Sequence, residues 1–160
     1  MAKDRLPTTQ AIRTLKEHEV DFSLHPYNYE EKGGTMVAAK ELGVDEHMII
    51  KTLVMEDNKG GPFLILMNGD KKVSTKALAR ALGVKRVTPC VPQVAHRHTG
   101  YFVGGISPFG TRKPLRVFVE ASIMDLAKIY INAGRKGLLA GMSPGDLARI
   151  LDLTPVNAAI

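Results

Sequence analysis

Residues 48–67 read MIIKTLVMEDNKGGPFLILM. Met48 to Met55 places six apolar residues in eight, four of them Ile, Leu or Val, which predicts a strand buried on both faces. The polar run EDNKGGP that follows is a turn, and Phe63 to Met67 is a second apolar strand, so the segment reads as a hairpin with a long loop. Lys51 stands in the middle of the first strand. A lysine is rarely buried without a partner, so this one either snorkels from an edge strand or marks a site.

On the N-terminal side of the hairpin, Thr8 or Thr9 caps a helix that carries Ile12 and Leu15 on one face and ends near His18. A strand alternates through Val20–Tyr29, with Pro26 placing it at an edge. Gly33-Gly34-Thr35 breaks the chain, and Met36–Leu42 forms a helix closed by Gly43. On the C-terminal side, Ser74 caps a helix over Thr75–Leu82, closed by Gly83, and Pro92 opens a short helix reaching His98. Leu115–Val119 and Ile129–Ile131 read as strands with a short helix around Ser122–Leu126 between them. The turn NAGRKG, 132–137, leads to another short strand, and Ser143-Pro144-Gly145-Asp146 opens the last helix. Without a βαβ rhythm, the expected class is α+β, in one domain over residues 1–160.

Between helix and strand lies HTGYFVGGISPFG, 98–110, with four glycines, a proline and three aromatics in thirteen residues. Such a stretch predicts a shaped loop. Tyr101-Phe102-Val103 reads as a short buried strand. Gly104-Gly105 at its end leaves two backbone N–H groups with no Cβ beside them, which suits either an anion or oxyanion cradle or a tight turn needing positive φ.

Composition narrows the partners. Lysine and arginine exceed aspartate and glutamate by 22 to 16, giving a net charge of +6 that allows a phosphate-bearing partner, though many basic proteins bind none. The single cysteine, Cys90, excludes an internal disulfide framework and a cysteine metal cluster, and a reducing cytoplasm is the expected compartment. The opening MAKDRLPTTQ has no apolar leader, and no apolar run approaches the ~18 residues of a membrane span. The five histidines lack a metal-binding spacing, so no metal or cofactor is expected. Two motif matches fail on mechanism. Gly105–Gly110 has P-loop spacing but is followed by Thr111-Arg112 instead of Lys and Ser or Thr. Gly141-Met142-Ser143-Pro144-Gly145 mimics a nucleophile elbow but puts Pro144, without an N–H, where an oxyanion donor belongs.

With Lys51 and the glycine-rich loop in view, four segments carry a resemblance across nearly all of the chain: IIKTLVM around Lys51, HTGYFVGGISPFGTRK, IYINAGRKG, and SLHPYNYE around Tyr27. The sequence resembles the YbaK/EbsC family of aminoacyl-tRNA deacylases, whose domain also occurs as the editing insertion of bacterial prolyl-tRNA synthetases. The resemblance implies a mixed α+β domain around a partly closed, barrel-like sheet. It also implies hydrolysis of the ester of a mischarged tRNA, most often Cys-tRNA(Pro). Lys51 matches the family's essential lysine, Gly104 its functional glycine and Tyr27 its pocket tyrosine.

Those roles make chemical sense. N–H donors at Gly104 and Gly105 are suited to stabilising the oxyanion of ester cleavage, and cationic Lys51 is better suited to holding the terminal phosphate or ribose than to attacking. No serine or cysteine nucleophile sits beside a base, in keeping with the family's substrate-assisted chemistry. Tyr27, Thr99, Gly100, Ile106, Ser107, Asn132 and Gly134 are expected to contact substrate, and Arg112, Lys113, Arg135 and Lys136 the tRNA backbone. Asn132 replaces a serine of cysteine-clearing relatives and Leu139 an acidic residue of some, which leaves an alanine or other small-residue substrate open. The segment EEKGGTMVAAK also looks shorter than in those relatives. A transient complex with prolyl-tRNA synthetase is a further family-based expectation, and a non-catalytic nucleotide- or tRNA-binding module is the alternative of a different class.

Overall fold

The computed structural model describes residues 8–160, so the polar opening MAKDRLP lies outside the described residues. The predicted hairpin forms the middle of one mixed sheet. Its strands are β1 (Phe22–Pro26), β2 (Ile49–Asp57), β3 (Pro62–Asn68), β4 (Val87–Pro89), β5 (Val117–Glu120), β6 (Ile129–Arg135), β7 (Leu138–Met142) and β8 (Leu153–Val156). Five helices accompany them: α1 (Gln10–Glu17), α2 (Gly34–Leu42), α3 (Thr75–Leu82), α4 (Pro92–Thr99) and α5 (Gly145–Ile150). The order is β1-β7-β6-β2-β3-β5-β8, with β4 also on β2. Strands β2 and β6, β3 and β5, and β5 and β8 run parallel, while β1 and β7, β6 and β7, β2 and β3, and β2 and β4 run antiparallel. The α+β expectation holds. Among the described residues β1 and β8 are the two ends of the path, so the ladder of hydrogen bonds stays open.

The hairpin feeds two cores because successive side chains of a strand point to opposite faces. Ile50, Val54, Leu64 and Leu66 join α1, Phe109, Ile129 and Ile131 in the larger core. Met55, Phe63, Ile65 and Met67 pack with Leu78 of α3 and with Phe118 in the second. Leu64, Ile65, Leu66 and Met67 are all fully buried, each burial stabilising by about 1.5–3 kcal/mol. A small third cluster sets Ala38 and Ala39 of α2 against Ile49, Tyr130 and Leu139.

Helix ends follow local chemistry. The Thr9 hydroxyl accepts from the Ile12 N–H at 3.0 Å and the Ser74 hydroxyl from the Ala77 N–H at 3.1 Å, each satisfying a donor the helix cannot. The expected serine cap of the last helix is not formed: Pro144 stands at the N-cap, and the Ser143 hydroxyl accepts from the Gly145 N–H at 3.3 Å within the turn before it.

Two further expectations need correction, and two strands were not expected. Tyr101–Val103 is not a strand: Gly100 (φ +81°) and Gly104 (φ +94°) bracket it and turn the chain before it can pair. Only Tyr101 is buried, its hydroxyl donating to the Phe109 carbonyl at 2.6 Å, whereas Phe102 is exposed. The turn expected from Asn132 begins later, because β6 continues through a bulge between Asn132 and Arg135. Strands β4 and β8, of three and four residues, are too short to register as periodic patterns.

Candidate functional site

The two edges of β2 are treated differently. Along one edge β3 pairs from Ile50 through Glu56. Along the other, β6 pairs only at Ile49 and Ile50 and β4 only from Met55 to Asp57, with the Cys90 N–H reaching the Val54 carbonyl at 2.9 Å. Across Lys51, Thr52 and Leu53 no strand covers that edge among the described residues. A cavity of about 560 Å³ opens there, within the range of about 300–1,000 Å³ typical of small-molecule sites.

Its walls come from several segments, Gly34, Thr35 and Ala38 of α2 and the Pro89-Cys90 pair among them. Strand β2 contributes Ile49 through Met55, the stretch after β1 contributes Tyr27, Tyr29 and Glu31, the glycine-rich loop contributes Val103, Gly104 and Ile106, and Asn132 and Leu139 close it from β6 and β7. Tyr27 is held by its N–H to the Gly137 carbonyl at 2.8 Å. Burial, then the neighbouring Tyr29 and Glu41, push its hydroxyl above the ordinary tyrosine pKa.

Lys51 is held by a built support. Its Nζ donates to the Lys71 carbonyl. That carbonyl sits in a loop fixed from both sides: Lys72 and Ile160 exchange backbone hydrogen bonds of 3.0 and 2.9 Å, and fully buried Asn68 donates to the His47 carbonyl at 2.8 Å while His47 meets Asp70 at 2.8 Å. Burial lowers the Lys51 pKa and nearby Lys72 pushes the same way, while Glu46 and Asp70 oppose them.

The two loop glycines have different tasks. Gly104 lines the cavity at φ +94°, and a Cβ there would stand 2.7 Å from the Tyr29 hydroxyl oxygen. Its N–H has no hydrogen-bond partner among the described residues, and its carbonyl accepts from Asn132 Nδ2 at 3.1 Å. Gly105 does not fit the expected two-donor cradle. Its N–H is committed to the Phe102 carbonyl at 2.8 Å, and a Cβ there would meet the Lys136 backbone nitrogen at 2.8 Å, so it seats the loop on the turn between β6 and β7.

The Asn132 amide spans loop and bulge, with Oδ1 accepting from the Gly134 and Arg135 N–H groups at 2.7 and 3.0 Å. It is a strut at the cavity wall. Gly134 does not line the cavity but packs against Tyr101 and Thr9. Thr99 and Ser107 do not line this cavity: both are fully buried, the Thr99 hydroxyl donating to the Ala95 carbonyl at 2.8 Å and the Ser107 hydroxyl accepting from the Phe109 N–H at 3.3 Å. Gly100 ends α4 and lines, with Thr99 and Arg112, a second cleft.

The four candidate tRNA cations form two separate pairs. Lys136 lies at the cavity rim, 3.3 Å from Glu31 and over the Tyr29 ring, with Arg135 exposed beside it. Arg112 packs by Gly100, and Lys113 Nζ is 3.1 Å from His98 Nδ1.

Sequence reasoning missed Thr52. Its Oγ1 is buried in the cavity wall without a hydrogen-bond partner among the described residues, although such a group costs about 1–3 kcal/mol. The signal was present: Thr52 is a polar residue set between Ile50 and Val54 on one face of β2. Tyr29 and Cys90 were likewise not placed in the cavity beforehand. Burial, with Glu56 adding to it, pushes the Cys90 thiol up to about 11, which keeps it protonated and a poor nucleophile.

Residues 30–150 match the profile of the aminoacyl-tRNA editing domain. A protein of Enterococcus faecalis, provisionally named the Cys-tRNA(Pro)/Cys-tRNA(Cys) deacylase EbsC, is 30% identical over 91% of this chain and 88% of its own length. A proline–tRNA ligase of Thermodesulfovibrio yellowstonii is 27% identical over 91% of this chain, which spans only 24% of that larger protein. Among solved structures, a provisional trans-editing enzyme for prolyl tRNA synthetase superposes with a TM-score of 0.82 at 19% identity, covering 97% of this chain and 99% of that one, a likeness of fold.

Proposed function

The chain belongs to the aminoacyl-tRNA editing domain family, and from that premise we propose that it acts in trans as a deacylase, hydrolysing the ester of a mischarged tRNA with Cys-tRNA(Pro) preferred. In this reading residues 1–160 work as one editing unit. The observation that carries it is the stretch of β2 left uncovered among the described residues, where Lys51 borders one cavity with a Gly104 N–H and a Thr52 hydroxyl that have no hydrogen-bond partner among those residues.

The ester carbonyl lies with its oxygen toward the Gly104 N–H, which meets the charge that develops on attack. The Lys51 ammonium holds the terminal phosphate or ribose of the tRNA. The thiol of the substrate's cysteine attacks its own ester carbonyl, the ribose oxygen leaves with the thiol's proton, and water then opens the cyclic thioester to free cysteine; where a ribose hydroxyl attacks instead, the acyl group moves to that oxygen and water releases it. Either route relieves the protein of providing a nucleophile, and the protonated Cys90 thiol agrees with that division. Thr52, by a χ1 rotation that brings its buried Oγ1 to the cavity, offers its hydroxyl to the substrate's amino acid, and Arg135 and Lys136 lie where the acceptor end leaves the rim. The specificity follows the EbsC relative, and the prolyl-tRNA ligase relative supports a transient complex with that synthetase.

Single-turnover hydrolysis of cysteinyl- and alanyl-tRNA(Pro) by wild type and Lys51→Ala tests this. Rapid loss of the cysteinyl ester by wild type alone is expected. Loss of the alanyl ester only would move the substrate to a small apolar residue, for which the Leu139, Leu53 and Ile106 lining is suited. Survival of both esters would refute hydrolysis. Added prolyl-tRNA synthetase is expected to raise the rate, and no change would remove the partner.

A further inference from the structure

Phe102 is 69% exposed, an unusual position for phenylalanine on a shaped loop. It is held there. Its ring lies parallel to His96, with centroids 4.3 Å apart and planes 11° from coplanar, and His96 Nδ1 is anchored 3.2 Å from the Tyr101 carbonyl. The Phe102 carbonyl in turn accepts the Gly105 N–H, which fixes the turn that carries the ring. Phe102 precedes Gly104 by two residues, so their Cα atoms are less than about 8 Å apart. Val103 between them lines the cavity.

The stretch of sequence that carries the pair is cationic, while Glu31 lines the adjoining cavity and pairs with Lys136. From Lys71 to Val119 the chain carries ten lysines and arginines and none of its 16 acidic residues. Arg97 follows His96 on α4, and Lys113 stands on His98; the carboxylate that His98 senses is Glu56 of β2. An aromatic pair set beside a cavity, on a cation-rich stretch of chain, suits the binding of an unstacked base on one face with its phosphate nearby.

We propose that the Phe102–His96 pair is a stacking platform for an unpaired base at the 3′ end of the tRNA, holding the strand as it enters the cavity beside Gly104. This rests on the reading that the substrate is an aminoacyl-tRNA. The favoured occupant is single-stranded RNA rather than a protein, because the acid-free segment around the ring complements phosphate.

The test uses a 5′-fluorescein RNA tetranucleotide ending in CCA-3′, its affinity measured by anisotropy for wild type, Phe102→Ala and Phe102→Trp, with a blunt duplex as control. Phe102→Ala is expected to weaken tetranucleotide binding about tenfold, the loss of one base stack. Phe102→Trp restores it, which separates stacking from loss of fold, and the duplex, with no free base, responds to neither change. Equal binding by wild type and Phe102→Ala would overturn the platform. So would an effect of Phe102→Ala confined to stimulation by added prolyl-tRNA synthetase, which would make the surface a protein-docking face. The probe carries no ester: binding through Phe102 without any deacylation would retain the platform and refute the hydrolase, and deacylation without dependence on Phe102 would do the reverse.

Discussion

The two edges of β2 share one backbone and serve opposite ends. The edge toward β3 is paired over seven positions and flanked by fully buried side chains, while the edge toward β4 and β6 is paired only at its extremities. Stability is concentrated on the first and the unmet polar groups on the second. A strand that is half structural and half uncovered needs no separate loop to present a site, because the paired edge holds the open one rigid.

The sharpest way to break this comparison is to change each edge separately. Lys51→Ala is expected to lower the single-turnover rate by about 10³-fold, the scale of losing a positioned charge contact, while circular dichroism and the melting temperature stay near wild type. A parallel loss of fold would mean that Lys51 belongs to the structural edge after all. Across the hairpin, Leu66, the register partner of Thr52, is fully buried. Leu66→Ala should cost about 2–5 kcal/mol in urea unfolding, with the folded fraction keeping its hydrolytic rate.

Gly104→Ala joins a strained φ to a Cβ placed against the Tyr29 hydroxyl, so about a 10²-fold loss of rate is expected, with KM the lesser effect. Thr52→Val sharpens the contrast in the other direction. Removing the unpartnered hydroxyl should raise stability by about 1 kcal/mol in chemical denaturation while discrimination between cysteinyl- and alanyl-tRNA narrows. A drop in stability would show that the hydroxyl has a partner in solution.

The smallest effect is in pH. Burial holds the Lys51 pKa below the ordinary 10.5, so the alkaline limb of kcat/KM should fall below that value, and Lys51→Arg should remove the limb from the lysine range. Between the lowered value and 10.5 the unfolded chain binds more protons than the folded one. Stability relative to Lys51→Met therefore rises with pH across that window, read from urea midpoints.

Legibility in the sequence followed the same division. The hairpin, the Ser74 cap and the Gly43 and Gly83 helix ends were readable because apolar density and capping are local properties. Lys51 was readable as an anomaly against that background. The interruption that makes it useful was not, since it depends on β4 and β6 stopping short on the far edge, a tertiary fact. The loop misled for a related reason: Tyr101-Phe102-Val103 has strand composition, and two positive-φ glycines override it. Gly105 shows the limit from another side, because a glycine kept for close packing and one kept for an open N–H read the same. The substrate roles expected for Thr99 and Ser107 came from their place in a recognisable loop, while their burial was invisible.

The paired hydrogen bonds between Lys72 and Ile160 bear on the site as well as on the fold. Ile160 lies far from Lys72 in sequence yet clamps the loop whose carbonyl orients Lys51, so a substitution that loosens the Lys72–Ile160 pairing is expected to lower turnover before it lowers the melting temperature.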